Sequence, residues 1–90
     1  MYEQAAKLTK AISHPLRMHV VASLLTGRKT VSELLEGVDV SQPNISQHLA
    51  KMRGAGVVVS ARKGRVVYCS LADSGIKKVV RVIAREWGGS

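Results

Sequence analysis

The sequence is poor in acidic residues, aromatic residues and cysteine, and each shortage excludes a class of protein. A lone cysteine, Cys69, rules out an intrachain disulfide and a thiolate cluster within one chain. Apolar runs are only a few residues long, so nothing predicts a membrane span. The N-terminal stretch MYEQAAKLTK lacks the apolar core of a signal peptide, which predicts a cytoplasmic protein.

The shortage of acid leaves the chain strongly positive. Fourteen Lys and Arg stand against six Asp and Glu, which gives a formal net charge of +8. Such a chain is attracted to polyanions, meaning nucleic acid or anionic lipid. Its hydrophobic content of 46% argues against a disordered basic tail. We therefore expect one small domain over residues 1–90, with a core that a second copy would enlarge.

Apolar spacing and capping residues predict three helices in the first part of the chain. The first covers residues 2–12. A second begins where Ser13 can serve as a cap and Pro15 falls in the first turn. A third begins at Thr30, which can form a capping box with Glu33.

The stretch SQPNISQHLAKMR predicts a fourth helix, capped by Ser41 and ended near Gly54. Ile45, Leu49 and Met52 recur at i, i+4 and i+7, which assigns them to one buried face. The helix therefore has a defined inner side and a defined outer side.

The periodicity changes after this helix. The runs VVVSA and RVVYCSL predict two strands, joined by RKG with Gly64 supplying a positive φ. Asp73 then caps a last helix. The predicted fold is mostly α with a small β-hairpin, a winged helix-turn-helix made of four helices, a two-stranded wing and a C-terminal helix.

Charge is distributed unevenly along the chain. Residues 40–72 contain no Asp or Glu, whereas several cations lie there. A surface that faces phosphates needs this arrangement, because each acid would weaken the electrostatic attraction. An ordinary solvated turn would explain the hairpin cations alone, but the whole window favours contact with a nucleic-acid backbone. The expected backbone contacts are Ser41, Lys51, Arg53, Arg62, Lys63 and Arg65.

The outer side of the fourth helix carries neutral hydrogen-bonding groups. Asn44 and Gln47 can each pair bidentately with adenine in the major groove, where base edges are uncharged. Most exposed amides are merely solvated, but here they lie within the acid-free window. We therefore predict base contacts from Gln42, Pro43, Asn44, Ser46 and Gln47.

Other functions fit the pattern less well. No paired carboxylates, activated nucleophile or phosphate-binding glycine loop suggests an enzyme. RNA readers stack bases on exposed aromatic side chains, and this chain has only Tyr2, Tyr68 and Trp87. A protein-interaction module would not need an acid-free face. Sequence-neutral DNA binding, as in an architectural protein, remains the main alternative.

Three segments, ISHPLRMHVVASLL, TVSELLEGVDVSQPNISQHLAKMRGAGVV and RKGRVVYCSLAD, together resemble the ArsR/SmtB family of small winged-helix bacterial repressors. The resemblance covers roughly residues 8–73. It implies a homodimer, paired through its first and last helices, that binds a double-stranded operator. It also implies release by a metal, an oxidant or a small ligand, and places DNA contacts at residues 42–44, 46 and 47.

The apolar stripes of the first and last helices also point to a dimer, because they exceed what so small a core requires. The alternative is that both stripes close the core of the monomer, and we expect each stripe to do some of both. The predicted interface residues are Ala5, Leu8, Ile12, Ile76, Val79, Val80, Ile83 and Trp87.

No sensor site is evident. The resemblance implies ligands in the helix before the recognition helix or along the last helix. Residues 30–40 have no cysteine or histidine, and the last helix offers only Asp73 and Glu86. We therefore predict no metal and no cofactor, with a site assembled across a dimer as the remaining alternative, and the effector stays unidentified. The three histidines are predicted to be cap, surface or packing residues: His14, His19 and His48.

Cys69 is predicted to be structural. Strand alternation places it between Val67 and Leu71 on one face of its strand. A thiol in that position behaves as a small buried hydrophobe and is inert unless it is exposed and made acidic.

Overall fold

Five helices and a small sheet make up the part of the chain that the computed structural model describes, residues 1–88. Gly89 and Ser90, the end of the predicted domain 1–90, lie outside the described residues. The elements are α1 (Glu3–Ala11), α2 (Pro15–Ser23), a single 3-10 turn (Leu24–Thr26), β1 (Lys29–Thr30), α3 (Val31–Leu35), α4 (Gln42–Gly54), β2 (Val58–Lys63), β3 (Val66–Leu71) and α5 (Ser74–Trp87). The predicted order of four helices, a hairpin and a last helix is confirmed.

The predicted caps form at three helix N-termini. The Ser41 hydroxyl accepts from the backbone N–H of Asn44 at 3.3 Å, and Asp73 caps α5 in the same way. Thr30 and Glu33 make the reciprocal capping box, at 3.1 and 2.9 Å. The hydrogen bond from the Thr30 backbone lowers the pKa of Glu33, and the Thr30 hydroxyl adds to that effect.

The predicted cap of α2 is wrong. His14, not Ser13, is the N-cap, and its Nδ1 accepts from the backbone N–H of Leu16 at 3.1 Å. A neutral imidazole nitrogen is an acceptor and can do the work of a hydroxyl. Helix α1 ends at Ala11, so Ser13 lies just after its C-terminus. There the Ser13 hydroxyl donates to the carbonyl of Thr9 at 2.7 Å.

The sheet has a third strand that the sequence did not predict. Its order is β1-β3-β2, and β1 pairs antiparallel with β3, with Lys29 opposite Cys69 and Thr30 opposite Tyr68. A two-residue strand is too short to show the alternation of apolar and polar residues that identifies a strand in a sequence. It is recognised only by its pairing with β3 in the structure.

The hairpin turn is shorter than predicted. Pairing of β2 with β3 continues to Lys63 opposite Val66, which leaves Gly64 and Arg65 as the turn. Arg62 and Lys63 therefore lie in β2 rather than in the turn. Every residue with a positive φ among residues 1–88 is a glycine. Gly64 has φ +66°. This is typical of a two-residue hairpin turn with glycine in its first position.

The core lies between the helices and the inner face of the sheet. Ile45, Leu49 and Met52 are at most 1% exposed, which confirms the predicted inner side of α4. The buried residues are Ala11, Ile12, Val20, Val21, Leu24, Leu34, Ile45, Leu49, Met52, Ala55, Val57, Val58, Cys69, Leu71 and Val80.

The predicted inner face of β3 is only partly correct. Cys69 and Leu71 are buried as expected, which confirms the packing role of the cysteine, but Val67 is exposed. Val67 is not part of the core cluster, which includes β3 only at Cys69 and Leu71. Among residues 1–88, no helix combines the length and the apolar character that crossing a membrane requires.

Replacing Ile45 by Ala should destabilise the fold by about 2–5 kcal/mol, because the side chain is fully buried and its removal leaves a cavity. Urea unfolding followed by circular dichroism measures this change. Lys51→Ala on the exposed side of the same helix is the control, and should change the free energy of unfolding by less than about 0.5 kcal/mol. Equal losses in the two variants would contradict the assignment of the two sides of α4.

Candidate DNA-binding surface

Helices α3 and α4 form a helix-turn-helix. Helix α3 ends at Leu35 and α4 begins at Gln42, and Gly37 takes φ +73° in the turn between them. The backbone N–H of Val38 donates to the carbonyl of Leu35 at 3.1 Å, which closes the end of α3. Because the inner side of α4 packs into the core, its opposite side must face outward.

The predicted base-reading residues lie on that outer side and near its start. Gln42, Pro43, Asn44 and Gln47 are exposed, and Ser46 is half-buried. Within residues 1–88 their side chains make no hydrogen bond to another part of the chain. Asn44 and Gln47 are three positions apart in the sequence and are therefore neighbours on the helix surface. Two amides with free donors and acceptors stand side by side.

The predicted backbone-contact cations form two groups around these amides. Lys51 and Arg53 are exposed in the last turn of α4, and the second group lies at the end of the hairpin. The ion pairs found within residues 1–88 join the N-terminus to Glu3 and Arg85 to Glu86. None of the predicted cations is therefore neutralised by a carboxylate in the described chain. The hairpin group consists of Arg62, Lys63 and Arg65.

A hydrogen bond joins the end of α4 to the hairpin. The Arg53 guanidinium donates from Nη1 to the hydroxyl of Ser60 on β2, at 3.2 Å. The same hydroxyl lies 3.8 Å from the sulfur of Cys69 on the neighbouring strand. The end of α4 is thus fixed to the base of the hairpin.

The sequence did not predict a role for Arg28. Its guanidinium carbon lies 4.1 Å from the ring centroid of Tyr68, in a cation–π contact. Arg28 directly precedes β1, so the pairing of β1 with β3 brings it to this ring. No signal in the sequence indicates this contact, because it depends on a strand of only two residues.

Arg17 connects three helices and was also missed. Its Nε donates to Nδ1 of His48 on α4 at 2.9 Å, and its Nη1 donates to the carbonyl of Ala11 at 3.2 Å. Ala11 is the last residue of α1, so its carbonyl has no partner within that helix. Arg17 therefore holds the end of α1 and the middle of α4 from its place on α2.

The histidines occupy the predicted kinds of position. His14 is a cap, His19 is exposed, and His48 is half-buried beside the core stripe of α4. The ring centroids of His14 and His48 are 4.6 Å apart. Burial lowers the pKa of His48, and the nearby His14, Arg17 and Lys51 lower it further. Among residues 1–88, no group of three or more His, Cys, Asp or Glu side chains converges in a way that would hold a metal ion.

The predicted dimer residues line two clefts beside α5. One cleft, of about 340 Å³, separates α1 from α5, and the other, of about 460 Å³, separates α2 from α5. Ile12 and Val80 are only 7% and 3% exposed, so they act mainly in the core of a single chain. The first cleft contains Ala5, Leu8, Ile76 and Val79, and the second contains Ile83 and Trp87.

The architecture and the chain match known regulators. A family model described as "Bacterial regulatory protein, arsR family" matches residues 14–60, more than half of the chain. The solved structure of HlyU from Vibrio cholerae superposes with a TM-score of 0.88 at 28% identity, covering 96% of this chain and 94% of that one. The transcriptional repressor BigR from Xylella fastidiosa gives 0.83 at 28% identity, with coverages of 96% and 88%.

Two characterised proteins are similar in sequence. The HTH-type transcriptional repressor SmtB of Mycobacterium tuberculosis is 37% identical over 78 residues, which cover 87% of this chain but only 58% of that protein. The biofilm growth-associated repressor of Xylella fastidiosa is 30% identical over 80 residues, 89% of this chain and 70% of the relative.

Together the helix-turn-helix, the hairpin and these matches confirm the winged-helix fold, and regulatory rather than enzymatic relatives confirm the expectation of a non-enzyme. The chain belongs to the arsR family of bacterial regulatory proteins.

Proposed function

We propose that the protein is a sequence-specific, double-stranded DNA-binding transcriptional regulator, a homodimeric repressor that reads a near-palindromic operator. Helix α4 enters the major groove, and the hairpin lies on the backbone or in the minor groove. The observation that carries this proposal is the pair of free amides, Asn44 and Gln47, on the outer side of a helix whose inner side is fixed in the core.

The free amides suit base reading. The edges of base pairs in the major groove are uncharged donors and acceptors, and a side-chain amide offers one of each. An α-helix fits the width of that groove. Gln42, Pro43 and Ser46 add polar and apolar contacts at the start of the helix, which is the part that enters deepest in helix-turn-helix proteins.

The cations suit phosphate contact on either side of the amides. Lys51 and Arg53 follow the base-reading segment, and Arg62, Lys63 and Arg65 extend from the hairpin. The hydroxyl of Ser41 accepts from the helix backbone and still has its own proton to donate to a phosphate oxygen. Such contacts place the protein on the duplex, while the amides supply the sequence preference.

Repression is supported by the relatives. SmtB of Mycobacterium tuberculosis and the biofilm growth-associated protein of Xylella fastidiosa are both named repressors. We propose the same activity here, with release by an effector that is not identified. Because the matched region spans 58% of the SmtB relative, activity of the whole protein is part of the proposal.

A homodimer is supported by the apolar surface of α5. Val79 and Trp87 are 50% and 78% exposed, and Val82, which was not predicted, is 44% exposed. They continue the apolar lining of the clefts that flank the helix. Covering this surface with a second copy removes it from water and places two recognition helices about 34 Å apart, in successive major grooves.

Sequence-neutral binding is the second candidate, because the basic surface alone would attract any duplex. A measurement of specificity separates the two functions. Asn44→Ala and Gln47→Ala should each lose about 1–3 kcal/mol of preference for DNA from upstream of the protein's own coding sequence over random duplex. Fluorescence anisotropy across a salt series measures both affinities.

Arg62→Ala and Lys63→Ala are the comparison variants. Each should weaken binding to both duplexes alike and reduce the slope of log K against log salt by about 1. Lys78→Ala, an exposed cation on α5, should leave the preference unchanged. Equal affinity of the unmodified protein for the two duplexes would reject operator reading and leave sequence-neutral binding.

The dimer is tested by placing a charge on its proposed interface. Val79→Asp should shift the protein from dimer to monomer at micromolar concentration, because the carboxylate would be buried without a partner. Sedimentation velocity measures the mass in solution. Val59→Asp, at a valine of similar exposure on β2, should remain dimeric. A monomeric unmodified protein, or a Val79→Asp variant that stays dimeric, would contradict the proposed interface.

A further inference from the structure

The recognition helix is held in the middle of its length by one hydrogen bond from another helix. The Arg17 Nε–H of α2 donates to Nδ1 of His48 at 2.9 Å. A second bond, from Arg17 to the carbonyl of Ala11, fixes the position of the guanidinium itself. His48 directly follows Gln47 in the chain, so a shift of the imidazole would move a proposed base-reading residue with it.

This hydrogen bond exists only when His48 is neutral. An imidazole that accepts at Nδ1 carries its proton on Nε2. When His48 takes up a second proton, Nδ1 becomes an N–H and can no longer accept from Arg17. The positively charged side chains of Arg17 and His48 then lie next to each other without a hydrogen bond between them. Protonation of His48 therefore determines whether the bond is present or absent.

The surroundings of His48 offer nothing to stabilise its charge. The groups that face it are His14 at the N-cap of α2, Arg17 of α2 and Lys51 of α4, all of them basic. Helix α3 and strand β2 also pack on α4, and within residues 1–88 neither places a carboxylate within ion-pairing distance of His48. The ring of His14 is tilted at 45° to that of His48, with the centroids 4.6 Å apart, and its own Nδ1 is the cap of α2. Protonation of either ring would therefore remove an acceptor at the same junction.

We propose that Arg17 and His48 form a proton-sensitive clamp that holds the recognition helix in its DNA-reading orientation and releases it when His48 is protonated. The inference rests on the proposed function, because α4 must read DNA for its orientation to matter. His48 and Arg17 are positioning residues, and Asn44 and Gln47 are the ones that touch the bases. Protonation also adds positive charge beside the duplex, so non-specific affinity should not fall with the specific affinity.

The test compares affinities for upstream and random duplex between about pH 5 and 8 at constant ionic strength. In the unmodified protein, the ratio of the two affinities should fall about tenfold on acidification, within the usual 5–150-fold range for coupled sites. The fall should lie below pH 6.5, the ordinary pKa of histidine, because the pKa of His48 is lowered from that value. His48→Asn keeps an oxygen at the position of Nδ1, which can accept from Arg17 but cannot be protonated, so its ratio should stay constant.

Two further variants separate the histidines. His14→Asn keeps a capping acceptor at the start of α2 and should keep the fall in the ratio. His19→Gln replaces an exposed histidine of α2 and should follow the unmodified protein. A ratio that does not change with pH in the unmodified protein, that falls equally in His48→Asn, or that no longer falls in His14→Asn would overturn the clamp.

A measurement without DNA keeps the clamp testable if the operator proposal fails. As the pH is lowered below 6.5, the hydrogen-exchange protection factors of the α4 amides should decrease in the unmodified protein but not in His48→Asn. The free energy of unfolding should also decrease over that range, because the unfolded chain binds the proton more readily than the folded one. This decrease should be smaller in His48→Asn. Equal protection of α4 in both proteins across the range would overturn the clamp, whatever the DNA affinities are.

Discussion

The packing of Ile45, Leu49 and Met52 into the core is the constraint on which the rest of the structure depends. These three side chains fix the rotation of α4 about its own axis, and that rotation decides which residues meet solvent. Asn44 and Gln47 lie on the opposite side of the helix from the buried residues and are therefore exposed. Stability and the presentation of the candidate surface therefore depend on the same three side chains.

Hydrogen bonds at three points along α4 complete that orientation. Ser41 caps its first turn, Arg17 holds its middle through His48, and Arg53 fixes its last turn to Ser60 on the hairpin. Apolar packing resists rotation of the helix but resists sliding along its axis much less, because it is not directional. Directional bonds supply the missing constraint. The middle bond differs from the other two because its acceptor is titratable.

Charged residues are unevenly distributed over the molecule. The acid-free stretch from residue 40 to residue 72 folds into α4 and the hairpin, so a separation along the chain becomes a separation in space. The six acids lie in α1, α3, the turn that follows α3, and α5 with its cap. One of them, Glu33, is used to cap a helix. Helix α5 carries exposed apolar side chains beside its charged ones.

Much of the fold follows from local patterns. Helical periodicity, the hydroxyl and carboxylate caps and the switch to β-branched runs each act over a few residues, so the sequence alone predicted the order of elements and the inner side of α4. It also assigned Cys69 to the core. The candidate base-reading residues were found for the same reason, because their exposure follows from the periodicity of the helix that carries them.

Only the tertiary structure decided the features that join distant parts of the chain. The pairing of β1 with β3, the stacking of Arg28 on Tyr68 and the bond from Arg17 to His48 connect residues far apart in sequence. The choice of His14 over Ser13 as a cap likewise depended on where α1 ended. Local sequence patterns indicate which side of a helix or strand is buried and which is exposed. Which side chain will meet a particular partner is settled only when the helices and strands pack together.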